Sequence, residues 1–133
     1  MLEYTGIRVR DLARSKSIYV EVLGLRVRST GRMPAGGVWE ELEDPESHQR
    51  LELNFYPSDP PYREGDELDH LGFLVADIES TTQALLARGC RVAIPTFAAG
   101  RYRLAFLADP DGIWIELQQP LGGDEPPTSR AGD

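Results

Sequence analysis

The sequence has little of three things: cysteine, long apolar runs and basic charge. Its single cysteine, Cys90, excludes an intrachain disulfide. We expect this thiol to act as a small apolar residue at the start of a strand. No run approaches the roughly 18 consecutive apolar residues of a membrane-spanning helix, and the sequence opens without a charged-then-apolar leader. These absences predict a cytoplasmic protein with no membrane partner.

Acidic residues outnumber basic ones, at 22 Asp and Glu against 14 Lys and Arg, which gives a formal net charge of −8. Nucleic-acid backbones are bound by clustered Lys and Arg, so we expect no nucleic-acid partner. The 133 residues are 41% apolar and 27% charged, as in ordinary globular domains. A chain of this size suits one compact domain that acts on a small molecule.

The chain contains an internal repeat, whose offset falls from 66 to 64 residues along the module. Chance would supply one such match, but hardly several in order. The aligned segments are 4–12 with 70–78, 24–27 with 89–92, 44–46 with 109–111, and 51–53 with 115–117.

Each module predicts the same order of elements, βαβββ. An alternating strand comes first, and Asp11 or Asp77 then stands where a helix N-cap is expected. Apolar residues recur at helical spacing until Gly24 or Gly89, because glycine adopts the left-handed conformation that ends many helices. Strand-like segments follow, separated by turn residues. The predicted fold class is therefore α+β.

The repeat also sets the predicted domain organisation. Residues 1–120 form one domain made of two modules, 1–56 and 68–120, joined by a proline-containing linker. Residues 121–133 lack apolar periodicity, which predicts a flexible C-terminal tail.

Strand alternation places four residues at equivalent positions of the two modules. Tyr4 and His70 lie on the first strands, opposite the apolar faces that we expect to pack on the helices. Glu52 and Glu116 lie on the last strands, between apolar neighbours. If those apolar sets also meet helices, each module presents its two residues on the opposite surface of its sheet. These are Tyr4 and Glu52 in the first module, and His70 and Glu116 in the second.

A glutamate between leucine or isoleucine residues is costly to bury unless its charge is compensated. A divalent cation beside Glu52, His70 and Glu116 would compensate both carboxylates, and this donor set suits Zn²⁺, Ni²⁺, Mn²⁺ or Fe²⁺. The alternative interpretation is a solvated sheet face that binds nothing. His48 lies in a polar stretch and is expected to be a surface loop residue.

The residues around these positions resemble the glyoxalase I branch of the vicinal-oxygen-chelate superfamily. The resemblance covers residues 2–120, and its motifs are distinctive for the superfamily but weak for any one activity. They are Val-Arg-Asp-Leu at 9–12, Tyr-Val-Glu-Val-Leu-Gly-Leu at 19–25 and Asp-Pro-Asp-Gly-Ile-Trp-Ile-Glu at 109–116.

The resemblance implies paired βαβββ modules that form a U-shaped mixed sheet around a cleft, often in homodimers, with one divalent metal ion in the cleft. By position, Glu52, His70 and Glu116 match the family's metal ligands. Tyr4 stands where the family usually has a histidine. A phenol has a pKa of about 10 and is a poor ligand at neutral pH, so Tyr4 is a doubtful fourth ligand.

The implied activity is that of a lactoylglutathione lyase-like enzyme, which transfers a proton next to a carbonyl through a metal-chelated enediolate. Glu116 is the expected base and Glu52 the second candidate. For substrate binding we expect Arg8, Arg103 and Trp114. Two alternatives remain open: a metal-free small-molecule-binding protein of the bleomycin-resistance type, and a relative of the ring-cleaving dioxygenases.

Overall fold

The computed structural model describes residues 1, 3–34, 36–57, 61–63, 65 and 68–122. Its contacts divide the chain into two compact units. The first is Met1–Leu68 with Ala87–Gly89, and the second is Asp69–Leu86 with the chain from Cys90 onward. Each unit contains one four-stranded sheet, and each sheet holds the strands of one predicted module.

The first sheet has the order β1-β4-β3-β2. Strands β1 and β4 are parallel, and the other neighbours are antiparallel. A helix, α1, follows β1 and precedes β2. The elements are β1 (Thr5–Val9), α1 (Leu12–Lys16), β2 (Arg26–Arg32), β3 (Val38–Glu43) and β4 (Arg50–Phe55).

The second sheet repeats this topology with the order β5-β8-β7-β6. Its first and last strands are again the parallel pair. The elements are β5 (Leu71–Leu74), α2 (Ile78–Leu86), β6 (Arg91–Ala99), β7 (Tyr102–Ala108) and β8 (Trp114–Pro120). The predicted α+β class and the βαβββ order of each module are confirmed.

The register repeats as well as the order. Gly6 pairs with Glu52 across β1 and β4, and Gly72 pairs with Glu116 across β5 and β8. The apolar faces of β1, β4 and β8 are buried as alternation predicts, whereas that of β5 is only partly buried. Each sheet packs one face against its helix. The fully or nearly buried members of the apolar faces are Ile7, Val9, Leu51 and Leu53 in the first unit, and Ile115 and Leu117 in the second.

Both predicted helix starts are capped by aspartate. Asp11 Oδ1 accepts a hydrogen bond from the backbone N–H of Arg14 at 3.0 Å. Asp77 Oδ1 accepts from the N–H groups of Glu79 and Ser80 at 3.1 and 3.3 Å. These bonds satisfy donors that the first helical turn leaves unpaired.

Both predicted helix ends have a glycine in the left-handed region, Gly24 at φ 82° and Gly89 at φ 91°. Before Gly24, however, the first helix departs from the α-helical spacing that the sequence suggests. Residues Ser17–Val22 form a π-helical segment directly after α1. Its end is closed by a hydrogen bond from the N–H of Leu25 to the carbonyl of Tyr19 at 3.0 Å.

In each module an aspartate side chain accepts backbone hydrogen bonds at the equivalent turn. Asp44 Oδ1 accepts from the N–H groups of Glu46 and Ser47, at 2.9 and 2.8 Å, and the bond from Ser47 is the main cause of the lowered pKa of Asp44. Asp109 Oδ1 accepts from Asp111 and Ile113 at 2.9 and 2.8 Å. An aspartate that accepts hydrogen bonds from backbone N–H groups a few residues later in the chain stabilises a tight turn.

Part of the predicted organisation lies beyond the described residues. Residues 123–133 of the predicted tail and residues 58–60, 64 and 66–67 of the predicted linker are not described. The described linker residues are in neither helix nor strand. No helix in the described part of the chain is long and apolar enough to cross a membrane.

Candidate functional site

The second unit brings together two of the predicted ligands. His70 immediately precedes β5, and its Nε2 lies 3.0 Å from Oε2 of Glu116 on β8. Glu116 is only 1% exposed, whereas the His70 side chain is 23% exposed. A carboxylate this deeply buried excludes the alternative of a solvated sheet face at position 116.

The other nitrogen of the His70 ring is also held by a carboxylate. Nδ1 lies 2.6 Å from Oδ2 of Asp69, the residue before it in the chain. The Asp69 side chain is 94% exposed. The imidazole therefore bridges an exposed carboxylate on one side and a buried one on the other.

Two aromatic rings stand beside this pair. Phe106 lies directly opposite Glu116 in the register of β7 and β8, and its ring meets that of His70 edge to face, with centroids 5.5 Å apart and planes at 89°. Trp114, two residues before Glu116, lies 6.0 Å from the Phe106 ring and is 38% exposed. One face of the second sheet thus combines His70, Glu116 and an aromatic wall.

The equivalent face of the first unit carries Tyr4 and Glu52. A Cβ added to Gly6 would lie 4.0 Å from Cε2 of Tyr4 and 3.2 Å from Nδ2 of Asn54, so these side chains share the face to which Gly6 contributes none. Glu52 is two residues before Asn54 and therefore lies on that face, where it is half-buried. Tyr4 is 43% exposed.

A second glutamate lies directly opposite Glu52. Glu41 of β3 pairs with Glu52 in the sheet register, an arrangement that like charges disfavour. Glu41 Oε1 lies 3.4 Å from Nη1 of Arg50 and 3.6 Å from Nη1 of Arg28. The two arginines compensate the charge of Glu41, which reduces the repulsion that Glu52 experiences.

Arg8 lies at the wall of a cavity in the first unit. Its guanidinium carbon lies 4.8 Å above the ring centre of Tyr56, and that of Arg10 lies 4.2 Å above the ring centre of Tyr62. The cavity has a volume of about 210 Å³ and is lined by both arginines and both tyrosines, among others. Stacking on aromatic faces holds guanidinium groups in a fixed orientation.

Arg103, the other predicted substrate-binding arginine, pairs with Glu79 of α2. Its Nη1 donates to Glu79 Oε2 at 3.0 Å, and its Nη2 contacts Oε1 of the same carboxylate. This two-point hydrogen bonding with Glu79 raises the pKa of Arg103. This contact joins β7 to α2, and a substrate-binding role for Arg103 stays a prediction.

The environments of Cys90 and His48 agree with the expectation that neither has a chemical role. The Cys90 thiol is buried, and burial, with a smaller effect of the Asp109 charge, raises its pKa to about 12. His48 is largely exposed in the turn before β4, and its Nδ1 lies 3.2 Å from Glu43 Oε1. Neither residue has the environment of a reactive group.

Within the described residues, no group of three or more His, Cys, Asp or Glu side chains is close enough to hold a metal ion. The structure assembles the pair His70 and Glu116 in the second unit, and it locates Glu52 and Tyr4 in the first. The predicted three-ligand metal site remains a proposal.

Sequence reasoning missed two residues beside this pair, Asp69 and Phe106. Asp69 had a signal in the sequence, because a carboxylate next to a candidate ligand histidine can reach its ring. Phe106 had a weaker one, because strand alternation gives its face but the register that sets it opposite Glu116 depends on the paired strand.

Comparisons with known proteins agree with this architecture. The model of the Glyoxalase/Bleomycin resistance protein/Dioxygenase superfamily matches residues 1–117. A lactoylglutathione lyase of Haemophilus influenzae is 35% identical over 120 residues, which cover 86% of this chain and 88% of that protein.

Two solved structures are similar in fold. The trypanothione-dependent glyoxalase I of Leishmania major matches with a TM-score of 0.73 at 29% identity, over 90% of this chain and 86% of that one. TnmS3, an antibiotic binding protein of a Streptomyces species, matches with a TM-score of 0.66 at 26% identity, over 90% and 95%. The paired βαβββ sheets, the repeated glycine–glutamate register and the match along 1–117 together show that the chain belongs to the Glyoxalase/Bleomycin resistance protein/Dioxygenase superfamily.

Proposed function

We propose that this chain is a metal-dependent lyase of the glyoxalase I type, which moves a proton between neighbouring carbons next to a carbonyl. The observation that carries the proposal is the contact of His70 Nε2 with the buried carboxylate of Glu116, on a sheet face that also presents two aromatic rings. The 35% identity to a lactoylglutathione lyase supports the same reaction class.

The donor set fits a divalent metal ion. A nitrogen and a carboxylate oxygen 3.0 Å apart need a proton or a metal ion between them, and imidazole with carboxylates suits Zn²⁺, Ni²⁺, Mn²⁺ or Fe²⁺. Glu52, His70 and Glu116 would hold the ion, with Tyr4 as a doubtful fourth ligand. When bound, it would supply Lewis acidity toward substrate oxygens.

Glu116 is the proposed base. Its burial favours a proton-transfer role, because water is kept from the carboxylate and from any carbanion that forms beside it. The carboxylate takes a proton from one carbon and returns it to the next, so the reaction needs no oxidant. Glu52, at the equivalent register position of the first unit, is the second candidate.

Substrate binding is proposed for Arg8 and Trp114. Arg8 is oriented by the Tyr56 ring in a cavity large enough for a carboxylate-bearing group. The partly exposed Trp114 offers an apolar surface near the proposed base. Together they favour a substrate with an anionic end and an apolar part.

One observation favours a second function, that of a metal-free binding protein. The rings of Phe106 and Trp114 would also suit a bound aromatic small molecule, and the chain is similar in fold to an antibiotic binding protein. A metal-free binding protein does not need metal ligands such as a buried glutamate beside a histidine. The two functions therefore differ in whether the protein binds a metal ion.

Metal content and lyase activity test the proposal together. Protein purified without a tag and reloaded with Ni²⁺, Zn²⁺, Mn²⁺ or Fe²⁺ should hold about one equivalent per chain and show lactoylglutathione lyase activity, read as the formation of lactoylglutathione. Glu116→Gln should abolish turnover, whereas Glu43→Gln, the same exchange on β3, should not. Binding below about a tenth of an equivalent for every metal, with tight binding of aromatic ligands, would favour the binding protein instead.

We also propose a homodimer. Each four-stranded sheet has two edge strands, and the outer side of an edge strand has backbone groups that its own sheet does not pair. Light scattering should give twice the chain mass of 14.8 kDa, and a monomer at high concentration would contradict this.

A further inference from the structure

The orientation of the His70 ring is set by more than its contact with Glu116. Asp69 Oδ2 lies 2.6 Å from Nδ1, on the opposite side of the ring from Glu116. An ionised carboxylate only accepts hydrogen bonds, so at this distance the proton between them resides on Nδ1. Asp69 thereby leaves Nε2 as the ring nitrogen that faces Glu116.

The contact of His70 with Phe106 does not determine which ring nitrogen faces Glu116. Phe106 meets the imidazole edge to face, which restricts the plane of the ring. Rotating the ring by half a turn about its Cβ–Cγ bond keeps that plane but exchanges the two nitrogens with ring carbons. Only a partner that distinguishes nitrogen from carbon can select between the two orientations. Glu116 at Nε2 is one such partner, and Asp69, at the shorter distance, is the other.

We infer that Asp69 is a positioning residue, which selects the ring orientation of His70 that directs Nε2 to the carboxylate of Glu116. The consequence for a bound metal ion rests on the proposed function. A ligating histidine is commonly held by a carboxylate at its second nitrogen, and losing such a partner lowers metal affinity about 10- to 100-fold. The exposure of Asp69 places the effect here at the lower end of that range.

Two variants separate the hydrogen bond from the charge. Asp69→Ala removes both, whereas Asp69→Asn removes the charge and keeps an oxygen that can accept from Nδ1–H. Glu46→Ala, at an exposed turn in the first unit, is the control for the loss of one negative charge.

The first measurement uses metal-free protein. Nuclear Overhauser effects from the two carbon-bound protons of the His70 ring to the Phe106 ring report the orientation of the imidazole. The pattern should be the same in the wild type, Asp69→Asn and Glu46→Ala, and should show both ring orientations in Asp69→Ala. A single, unchanged orientation in Asp69→Ala would overturn the inference, whatever the metal does.

The second measurement is Zn²⁺ affinity by chelator competition at fixed pH. Asp69→Ala should bind about tenfold more weakly than the wild type, and the other two variants within about threefold of it. Equal affinity of Asp69→Ala and wild type would overturn the inference. If the wild type bound no Zn²⁺ while the spectra changed as expected, the proposed function would fail and the positioning of His70 by Asp69 would stand.

Discussion

Gly72 pairs with Glu116 across β5 and β8, and a Cβ added to Gly72 would lie 3.6 Å from Glu116 Oε2. Gly6 has the same register relation to Glu52 in the first unit. In both places the residue paired with the glutamate has no side chain. The surface of the sheet next to the carboxylate is therefore open at that position. The four side chains proposed for the metal flank these two glycines.

The chain has only two histidines, and they provide a matched pair for metal binding. His70→Ala should abolish stoichiometric binding, because it removes the imidazole that contacts the buried carboxylate of Glu116. His48→Ala should leave binding unchanged, since this ring pairs with Glu43 in an exposed turn. Elemental analysis after reloading with Zn²⁺ measures both.

Thermal unfolding of the two variants is the control for this comparison. A folded His70→Ala protein that still holds one Zn²⁺ would show that the site does not use His70. Equal loss of metal in both variants would point to adventitious histidine binding.

Position 4 holds a tyrosine, whereas the equivalent position of the second module holds His70. Tyr4→His should tighten metal binding, because a neutral imidazole is a far better ligand than an un-ionised phenol. An added ligand that contributes about 1.4 kcal/mol changes affinity about tenfold. Chelator competition at fixed pH measures this, since protons compete with metal for the ligands.

Tyr4→Phe is the matched control, because it removes only the hydroxyl. Unchanged affinity in Tyr4→Phe would mean that the phenol is not a ligand. Unchanged affinity in Tyr4→His as well would mean that position 4 does not face the metal, contrary to the equivalence of Tyr4 and His70 in the repeat.

The buried Cys90 thiol should react slowly. Burial raises its pKa from 9.0 to about 12, which lowers the thiolate fraction near pH 8 about a thousandfold. Labelling by Ellman's reagent should therefore be slow in the native protein and fast in guanidinium chloride. Rapid labelling of native protein would show that the thiol is accessible and ionised.

The same raised pKa predicts a pH dependence of stability. The folded state holds the Cys90 proton more tightly than the unfolded state, so its contribution is complete below pH 9 and is lost as pH rises toward about 12. The free energy of unfolding should fall more steeply across that window in the wild type than in Cys90→Ala. Parallel curves for the two proteins would contradict the shift.

A double-mutant cycle decides between two roles of Arg103. If Arg103 only anchors α2 through Glu79, then Arg103→Ala and Glu79→Ala should each lower stability slightly, with no further loss in the double variant. KM should be unchanged in all three. If Arg103 binds substrate, Arg103→Ala alone should raise KM, by about tenfold for a lost charged contact.

Periodicity in the sequence was sufficient to predict much of the fold. Strand alternation gave the buried face of β1 and β4, and Asp11 and Asp77 marked both helix starts. These features are local, because they depend on side-chain spacing of about 2 or 3.6 residues and on hydrogen bonds to the next few backbone groups. The repeat extended each local prediction to the second module.

What the sequence by itself determined is therefore the order of elements, the faces of the strands and the candidates His70 and Glu116. Tertiary structure decided which partners those side chains meet: Phe106 opposite Glu116, and Glu79 in contact with Arg103. It also decided that the first helix ends as a π-helical segment. The physical reason is that strand register and helix packing join residues far apart in the chain, and spacing within one segment carries no information about either.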